Sequence, residues 1–339
     1  MEVFAADLQR RFDDARGAGV LTNLHGVVVA RGEDILFETY LAGTDSIGPR
    51  PLGVVRFGPE TLHDLRSITK SIVGLLYGIA LGAGLVPPPE ATLLEQFPEY
   101  PDLAADPARQ ALTVAHALTM TLGTEWDEMS LPYSDPRNSE IAMSRAPDRT
   151  RYVLERPVLE PPGQRWIYNG GATQVLGQLI AKGVGASLEA YAEAVLFAPL
   201  GIAQAEWWPT RAPSPASGLR LTPRDLARIG AMILAGGRWQ GRQIVPEDWL
   251  KASFTPSVSL LDGRHYGYHW YLGATPRDGG AGDVIWERTV SGMGNGGQRL
   301  ALLPRLDLSV AITAGNYNDP DGWRPSMNLL RDVLLPAFR

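Results

Sequence analysis

The sequence predicts an α+β fold in which both ends of the chain build one antiparallel sheet. The N- and C-terminal helices flank this sheet, and an all-helical domain is inserted between its two parts. Three observations predict it. Strand patterns fill residues 24–41 and return over residues 266–313. Helical patterns broken by proline-rich loops occupy the segment between them. A helical pattern also lies at each end of the chain.

The first elements are an amphipathic helix and a β-hairpin. Residues 24–30 (LHGVVVA) and 34–41 (DILFETYL) have strand patterns, and the short link between them contains Gly32, which favours an antiparallel hairpin. A Gly- and Pro-rich passage, residues 43–59, connects this hairpin to the next helix. The helix at residues 1–19 carries its apolar residues on one side: Val3, Phe4, Leu8 and Phe12.

The next helix, at residues 67–85, is the most apolar segment of the chain. No charged residue lies between Lys70 and Glu90. The apolar stretch is nevertheless shorter than the ~20 residues that a membrane span needs. We therefore predict a buried core helix and no association with a membrane.

The remaining patterns complete the inserted domain and the sheet. They predict a domain division at 1–62, 63–220 and 221–339, in which the first and last parts form one α/β domain. Helices are predicted at residues 112–120, 171–182, 188–196, 222–235 and 327–335. Strands are predicted at residues 266–272, 284–290, 297–303 and 306–313.

Composition excludes several classes of function. The 339 residues include 31 basic and 37 acidic side chains, so no basic surface is predicted for nucleic acid or an anionic membrane. The absence of cysteine excludes disulfides, thiolate metal sites and a cysteine nucleophile. The five histidines show no metal-ligand spacing, so we predict no metal and no cofactor. The first residues lack the apolar core of a signal peptide, and we expect a cytoplasmic protein.

Ser67 and Lys70 are the first candidates for chemistry. Positions i and i+3 share a helix face, so the two side chains can touch. The apolar helix behind them would bury the amine and favour its neutral form, which can accept the serine proton. At the helix start, the backbone N–H of Ser67 has no partner within the helix and can face an oxyanion. No G-x-S-x-G pattern offers a competing serine nucleophile.

Two further segments carry distinctive patterns. Tyr168 lies before a glycine pair that opens a helix, where it would either face a cleft or pack as a core aromatic. The glycine-rich run at residues 291–298 fits G-x-G-x-x-G, but it lies between two strands, which contradicts a dinucleotide site. Glycines at the start of a strand instead let the backbone approach a ligand closely.

These segments, in this order, resemble the serine β-lactamase and penicillin-binding-protein superfamily on its class C-like and esterase-like side. Within that superfamily the chain looks most similar to the 6-aminohexanoate-dimer hydrolase branch. The resemblance extends from about residue 26 to residue 318. It rests on LRSITKS (65–71), HALTMTLGTEWDE (116–128), PYSDPRN (132–138), PPGQRWIYNGGATQVLGQLI (161–180), LFAPLGI (196–202), GLRLTPRDLARIG (218–230) and GNGGQRLALLPRLDLSVAIT (294–313).

The resemblance implies a β-lactamase/transpeptidase-like fold and a role for each matching residue. Ser67 matches the nucleophile, Lys70 its partner, and Tyr168 the tyrosine that helps to move the proton. The backbone N–H groups of Ser67 and Gly294 would hold the oxyanion. Tyr133 matches a tyrosine that contacts amide substrates in the dimer-hydrolase branch.

The chain departs from the family pattern in two motifs. In the second motif, usually Tyr-x-Asn, the asparagine comes one step early, at Asn169. The third motif, usually Lys-Thr-Gly or His-x-Gly, corresponds to Ser291-Gly292-Met293 and lacks a cation. We expect Trp126, Tyr133, Asn169 and Ser291 to bind substrate. Asp127 and Glu128 are expected to be structural hydrogen-bond acceptors rather than catalytic acids.

The leading hypothesis is a cofactor-free serine hydrolase that forms an acyl-enzyme on a small ester or linear amide. A β-lactamase or D-amino-acid peptidase is the first alternative, although those enzymes need a cation at the third motif to hold the substrate carboxylate. The second alternative is a ligand-binding homologue without turnover, which the altered second and third motifs favour.

Overall fold

The protein is described by a computed structural model that covers residues 2–208, 214–280 and 283–338. An eight-stranded antiparallel sheet, in the order β10-β11-β12-β13-β14-β15-β1-β2, forms its centre. In chain order the strands are β1 Leu24–Arg31, β2 Asp34–Tyr40, β3 Ala42–Ile47, β4 Arg50–Arg56, β5 His63–Asp64, β6 Glu206–Trp207, β7 Leu219–Leu221, β8 Arg238–Trp239, β9 Arg242–Gln243, β10 Val258–Ser259, β11 His265–Tyr266, β12 Tyr271–Gly280, β13 Asp283–Gly294, β14 Gln298–Leu303 and β15 Leu308–Ala314.

Strand pairing confirms the predicted sheet built from both ends of the chain. β1 pairs with β15, where Val28 lies opposite Ala311, and it pairs with β2 on its other side. Nearly all side chains of β1 and β15 are buried, because both strands are central and helices cover both faces of the sheet.

The helices form two layers, one on each face of the sheet. Their bounds are α1 Glu2–Gly17, α2 Ile68–Gly82, α3 Pro101–Ala104, α4 Pro107–Gln110, α5 Val114–Leu118, α6 Ser139–Arg145, α7 Arg149–Leu154, α8 Gly170–Val184, α9 Leu188–Ala192, α10 Pro223–Leu234, α11 Glu247–Ser253 and α12 Arg324–Asn328. Helical turns also continue α9 as far as Leu200 and α12 as far as Ala337.

Each face of the sheet has its own apolar core. α1 and the C-terminal helical turns cover the face that carries Val27 and Ile312. Leu8 and Phe12 of α1 are fully buried there, whereas the side chains of Val3 and Phe4 lie outside the described residues. Helices α2, α8 and α10 share the core of the opposite face. The predicted flanking of the sheet by terminal helices is therefore confirmed.

Two details differ from the sequence predictions. Residues 43–59 contain the hairpin β3–β4, which the Gly- and Pro-rich composition concealed; its strands carry mostly exposed side chains. The single strand predicted at residues 266–272 is wrong. The chain reverses at His269, whose φ is 62°, so that Tyr266 of β11 pairs with Tyr271 of β12.

The first and last residues of the predicted inserted domain lie side by side in the structure. β5, which contains residue 63, pairs with β7, which contains residue 220. The division at 1–62, 63–220 and 221–339 stays a prediction. Across the described residues, we find no helix with the length and apolar character needed to cross a bilayer.

Helix α2 carries Lys70 and begins directly after Ser67, and nearly all of its residues are buried. A methyl group added at Gly78 would lie 2.0 Å from Cδ1 of Trp249, whose indole N–H donates to the Gly74 carbonyl at 2.9 Å. The glycine thus lets the tryptophan pack directly on the helix backbone.

We predict that Gly78→Ala lowers the free energy of unfolding by about 1–3 kcal/mol, because the added methyl overpacks this contact. Urea denaturation measures the change. Gly17→Ala is the matched control, since a methyl group there meets nothing within 4 Å. A Gly78→Ala protein as stable as the wild type would contradict the described packing.

Candidate active site

The site begins at a strained turn just before α2. Arg66 has a φ of 50°, in the left-handed region that side chains disfavour. Its guanidinium donates to the Gly48 carbonyl at 3.0 Å and lies 3.5 Å from an Asp64 oxygen. It also lies over the ring of Tyr317, 4.1 Å from the ring centroid. These contacts hold the turn that presents Ser67.

Ser67 and Lys70 meet as the sequence predicts. Ser67 is half-buried and immediately precedes α2, and the Lys70 Nζ lies 3.1 Å from its Oγ. Nζ also donates to the Ala216 carbonyl at 2.8 Å, and Lys70 is only 2% exposed. The amine is therefore fixed between the serine hydroxyl and one carbonyl, with little contact with water.

Two backbone N–H groups are candidates for holding an oxyanion. Within the described ranges the Ser67 N–H has no hydrogen-bond acceptor, as expected at a helix start. Gly294, at the end of β13, approaches the same turn: a methyl group added there would lie 2.5 Å from the Leu65 carbonyl oxygen. Gly294 is thus placed beside the turn that precedes Ser67, where only glycine fits, and the oxyanion role of the two N–H groups stays a prediction.

Tyr168 lies beside Lys70 in the loop before α8. The Lys70 Nζ is 4.8 Å from the centroid of the Tyr168 ring. Burial, with the negative charge of Glu128, raises the pKa of Tyr168 well above its ordinary value, although hydrogen bonding with Ser67 opposes this. The phenol is therefore neutral at physiological pH and is able to donate a proton.

Asn169 and Ser291 have structural contacts besides the substrate role predicted for them. The Asn169 side chain caps α8 by accepting a hydrogen bond from the Ala172 N–H at 3.0 Å. Ser291 is buried in β13, opposite Tyr271 on one side and Ala301 on the other. The predicted substrate contacts of both residues stay predictions.

Glu128 is the centre of a buried hydrogen-bond network. Its carboxylate accepts from the Gly170 N–H at 2.6 Å, the Trp126 indole at 3.0 Å and the Tyr133 hydroxyl at 3.1 Å. Burial and the charge of Glu128 raise the pKa of Tyr133, which is also neutral. Glu128 thus ties two predicted substrate residues, Trp126 and Tyr133, to the start of α8. Their contact with substrate stays a prediction.

A second carboxyl group, that of Glu140, lies against Glu128. A methyl group added at Gly170 would lie 3.0 Å from a Glu140 oxygen and 3.1 Å from a Glu128 oxygen. Burial and the charge of Glu128 raise the pKa of Glu140 well above its ordinary value. Hydrogen bonds from its neighbours and the charge of Lys70 outweigh burial and lower the pKa of Glu128. The two carboxyl groups therefore share one proton, and Glu128 carries the charge.

An aromatic wall adjoins Tyr168. The ring of Trp166 lies 6.0 Å from that of Tyr168 and 5.5 Å from that of Tyr266, and Tyr266 lies 5.0 Å from Tyr271. This wall and the role of Glu140 could not be predicted from local sequence patterns, because only the fold brings their partners together.

One group of potential metal ligands is separate from the contact between Ser67 and Lys70. Among the residues that the structure describes, a single group of three metal-ligating side chains is present, formed by His25, Asp45 and His63 from three different strands. Burial lowers the pKa of His25 to about 4 and also lowers that of His63, so both rings are neutral.

The arrangement is suited to acyl transfer. A serine hydroxyl contacts an amine, a neutral phenol lies beside the amine, and Gly294 approaches the turn that carries the free N–H of Ser67.

The β-lactamase family model matches residues 6–329. The 6-aminohexanoate-dimer hydrolase of Paenarthrobacter ureafaciens is 25% identical over 93% of this chain and 76% of its own length. Esterase EstB of Burkholderia gladioli is 28% identical over 58% of this chain and 50% of its own length. A penicillin-binding protein homologue from Pyrococcus abyssi has the same fold, with a TM-score of 0.68, 19% identity, and coverage of 99% of this chain and 78% of that one.

These matches confirm the resemblance to the superfamily and to its dimer-hydrolase branch. They also bear out the predicted β-lactamase/transpeptidase-like fold. A family model that spans nearly the whole chain, together with named hydrolase and esterase relatives, identifies the chain as a member of the β-lactamase family and as a serine hydrolase.

Proposed function

We propose that the protein cleaves a small carboxylic ester or a linear amide through an acyl-enzyme on Ser67. The observation that carries the proposal is the contact between Lys70 Nζ and Ser67 Oγ at 3.1 Å, beside the neutral phenol of Tyr168. The dimer-hydrolase relative is named for an amino-acid dimer and the other relative for esters, which supports both substrate classes.

Acylation follows from these contacts. The Ser67 Oγ attacks the substrate carbonyl while its proton passes to the Lys70 amine, which keeps one N–H on the Ala216 carbonyl. The N–H groups of Ser67 and Gly294 stabilise the negative oxygen that forms. The carbonyl then reforms, and the bond to the leaving group breaks as Tyr168 donates its proton to that group. Lys70 returns a proton to Tyr168.

Deacylation runs the same route with water. A water molecule loses a proton to the base and attacks the acyl carbon. The ester bond to Ser67 breaks, and Oγ regains a proton. Because the pKa of Tyr168 is raised, the phenol starts each half-reaction protonated, and the base role falls to Lys70.

A second candidate has one observation in its favour. Arg299 lies opposite Met293 of the third motif and is 4% exposed. Its side chain has no hydrogen-bond or ion-pair partner among the described residues. Arg264, whose Nη1 contacts the Met293 sulfur at 3.2 Å, lies nearby. Burial and Arg264 lower the pKa of Arg299 to about 10, but it stays charged at neutral pH. A β-lactamase or D-amino-acid peptidase would use such a cation to hold a substrate carboxylate.

We predict that Ser67→Ala abolishes ester hydrolysis, by roughly 10⁴-fold or more, because no other group supplies the nucleophile. Stability should be unchanged, since the Ser67 side chain makes no capping hydrogen bond. Labelling with a fluorophosphonate probe, read by mass spectrometry, should modify Ser67 in the wild type and nothing in the variant. An unlabelled, inactive wild type would support the non-catalytic ligand-binding homologue instead.

We predict that Lys70→Arg is nearly as damaging to kcat as Lys70→Ala. Arginine keeps the positive charge but does not release its proton in a protein, so it cannot act as a base. Steady-state kinetics on a p-nitrophenyl ester measure both variants. Lys182→Arg, at a lysine that pairs with Glu99 on the surface, is the matched control. High activity in Lys70→Arg would reduce Lys70 to an electrostatic anchor.

We predict that kcat/KM for a p-nitrophenyl ester is far higher than that for a chromogenic cephalosporin. Ester cleavage needs a nucleophile, a proton route and an oxyanion site, whereas a cephalosporin also needs a cation for its carboxylate. Losing such a charge-assisted contact costs about 1.5–3 kcal/mol, or roughly ten- to a hundredfold. A faster cephalosporin reaction that Arg299→Gln selectively removes would favour the second candidate.

A further inference from the structure

Three buried side chains from separate strands meet beside the turn that carries Ser67. They are His25 of β1, Asp45 of β3 and His63 of β5. His25 and His63 are fully buried and Asp45 is 7% exposed. One nitrogen of each ring and one carboxylate oxygen all lie within 4.8 Å of one another. None of these residues takes part in the proposed acyl transfer.

The outer nitrogen of each ring faces an oxygen that only accepts hydrogen bonds. His63 Nδ1 lies 3.0 Å from the Asp64 carbonyl oxygen. His25 Nε2 lies 3.2 Å from Asn23 Oδ1, and the orientation of that amide is fixed because Asn23 Nδ2 donates to the Thr44 carbonyl at 3.1 Å. Both outer nitrogens must therefore carry a proton.

The inner nitrogens are then left with lone pairs that point at each other. A neutral imidazole has one N–H, and in both rings the outer nitrogen holds it. His25 Nδ1 and His63 Nε2 lie 2.8 Å apart. Two lone pairs at this distance repel, so the arrangement needs a cation between the rings, either a metal ion or one extra proton.

Asp45 favours the metal ion. Its Oδ1 lies 3.8 Å from His63 Nε2, which is too far for a hydrogen bond but suits two ligands of one ion. Two nitrogen ligands about 2.0–2.1 Å from a tetrahedral Zn²⁺ stand roughly 3.3 Å from each other, so the two rings, whose nitrogens are 2.8 Å apart, would separate by about 0.5 Å to bind the ion. An extra proton would satisfy the two nitrogens but would give the carboxylate no hydrogen bond from either ring.

The surroundings are shaped to hold these ligands. A methyl group added at Gly43 would lie 2.6 Å from His25 Nε2, and one at Gly315 would lie 2.5 Å from His25 Cε1. β3 and the residue that follows β15 thus approach the ring where only glycine fits. The Tyr317 hydroxyl donates to Asp45 Oδ1 at 2.7 Å and orients the carboxylate. Such outer contacts fix the orientation of ligands in metal sites.

We propose that His25, Asp45 and His63 bind one divalent transition-metal ion of the Zn²⁺ class. Two imidazole nitrogens and one carboxylate oxygen form a donor set that suits this class. The ion would tie β1 and β3 to β5, whose last residue is two positions before Arg66. The metal therefore has a structural role and contributes no group to the chemistry at Ser67.

The test uses the full-length protein stripped with a chelator and then titrated with Co²⁺ and with Zn²⁺. We expect one equivalent of Co²⁺ to give d–d absorption bands, one equivalent of Zn²⁺ to displace it, and each ion to raise the Tm. Mass spectrometry of the protein as purified should find a bound transition metal. Asp45→Asn keeps the shape of the side chain and should weaken metal affinity at least tenfold.

The controls separate this site from adventitious binding. His265→Ala removes an exposed histidine on β11 and should leave the stoichiometry and affinity unchanged. His63→Ala removes one ligand and should abolish stoichiometric binding. If this variant fails to fold, Asp45→Asn still tests the site. Absence of stoichiometric Co²⁺ and Zn²⁺ binding to the wild type would overturn the proposal. A ¹⁵N NMR signature of an imidazolium proton shared by the two rings in metal-saturated buffer would overturn it too.

Discussion

The left-handed backbone at Arg66 is the constraint on which the site depends. A non-glycine residue in this conformation costs of order 1–3 kcal/mol, and it persists only when its surroundings hold it. Here the guanidinium is held by the Gly48 carbonyl, by Asp64 and by the face of the Tyr317 ring. The strained turn lets Ser67 start a helix with a free N–H while its hydroxyl stays within reach of Lys70. A relaxed residue at position 66 would send the chain in another direction.

The charges around Lys70 explain how its amine can be buried away from water. Lys70 is nearly fully buried, and the carboxyl pair of Glu128 and Glu140 interacts with it electrostatically. One proton on the pair leaves a single negative charge, so the pocket does not accumulate two uncompensated carboxylates. The same charge disfavours ionisation of Tyr168. The pair therefore acts on the reacting groups through the field it creates, and on Tyr133 and Gly170 through hydrogen bonds.

What the sequence could predict follows from the range of each interaction. The contact between Ser67 and Lys70 depends only on helix geometry, so the sequence predicts it. The central strands are predicted by their continuous apolar runs. The β3–β4 hairpin was not predicted because its exposed strands lack apolar alternation. The role of Glu140 was not predicted because its partner, Glu128, is twelve positions away across an irregular loop. The reversal at His269 depends on a left-handed residue that no local pattern marks. Tyr168 could be placed by its resemblance to a family, but its pKa depends on neighbours that only the fold brings together.

Both residues of the short strand β5 make buried polar contacts. β5 leads directly into the turn at Arg66: His63 contacts His25, and Asp64 accepts hydrogen bonds from the Gly48 N–H and the Trp208 indole. A two-residue strand has too few ladder hydrogen bonds to resist the strain of the turn that follows it. Side-chain contacts at both of its residues supply the missing rigidity. The position of Ser67 therefore depends on polar contacts of β5 that take no part in the proposed acyl transfer.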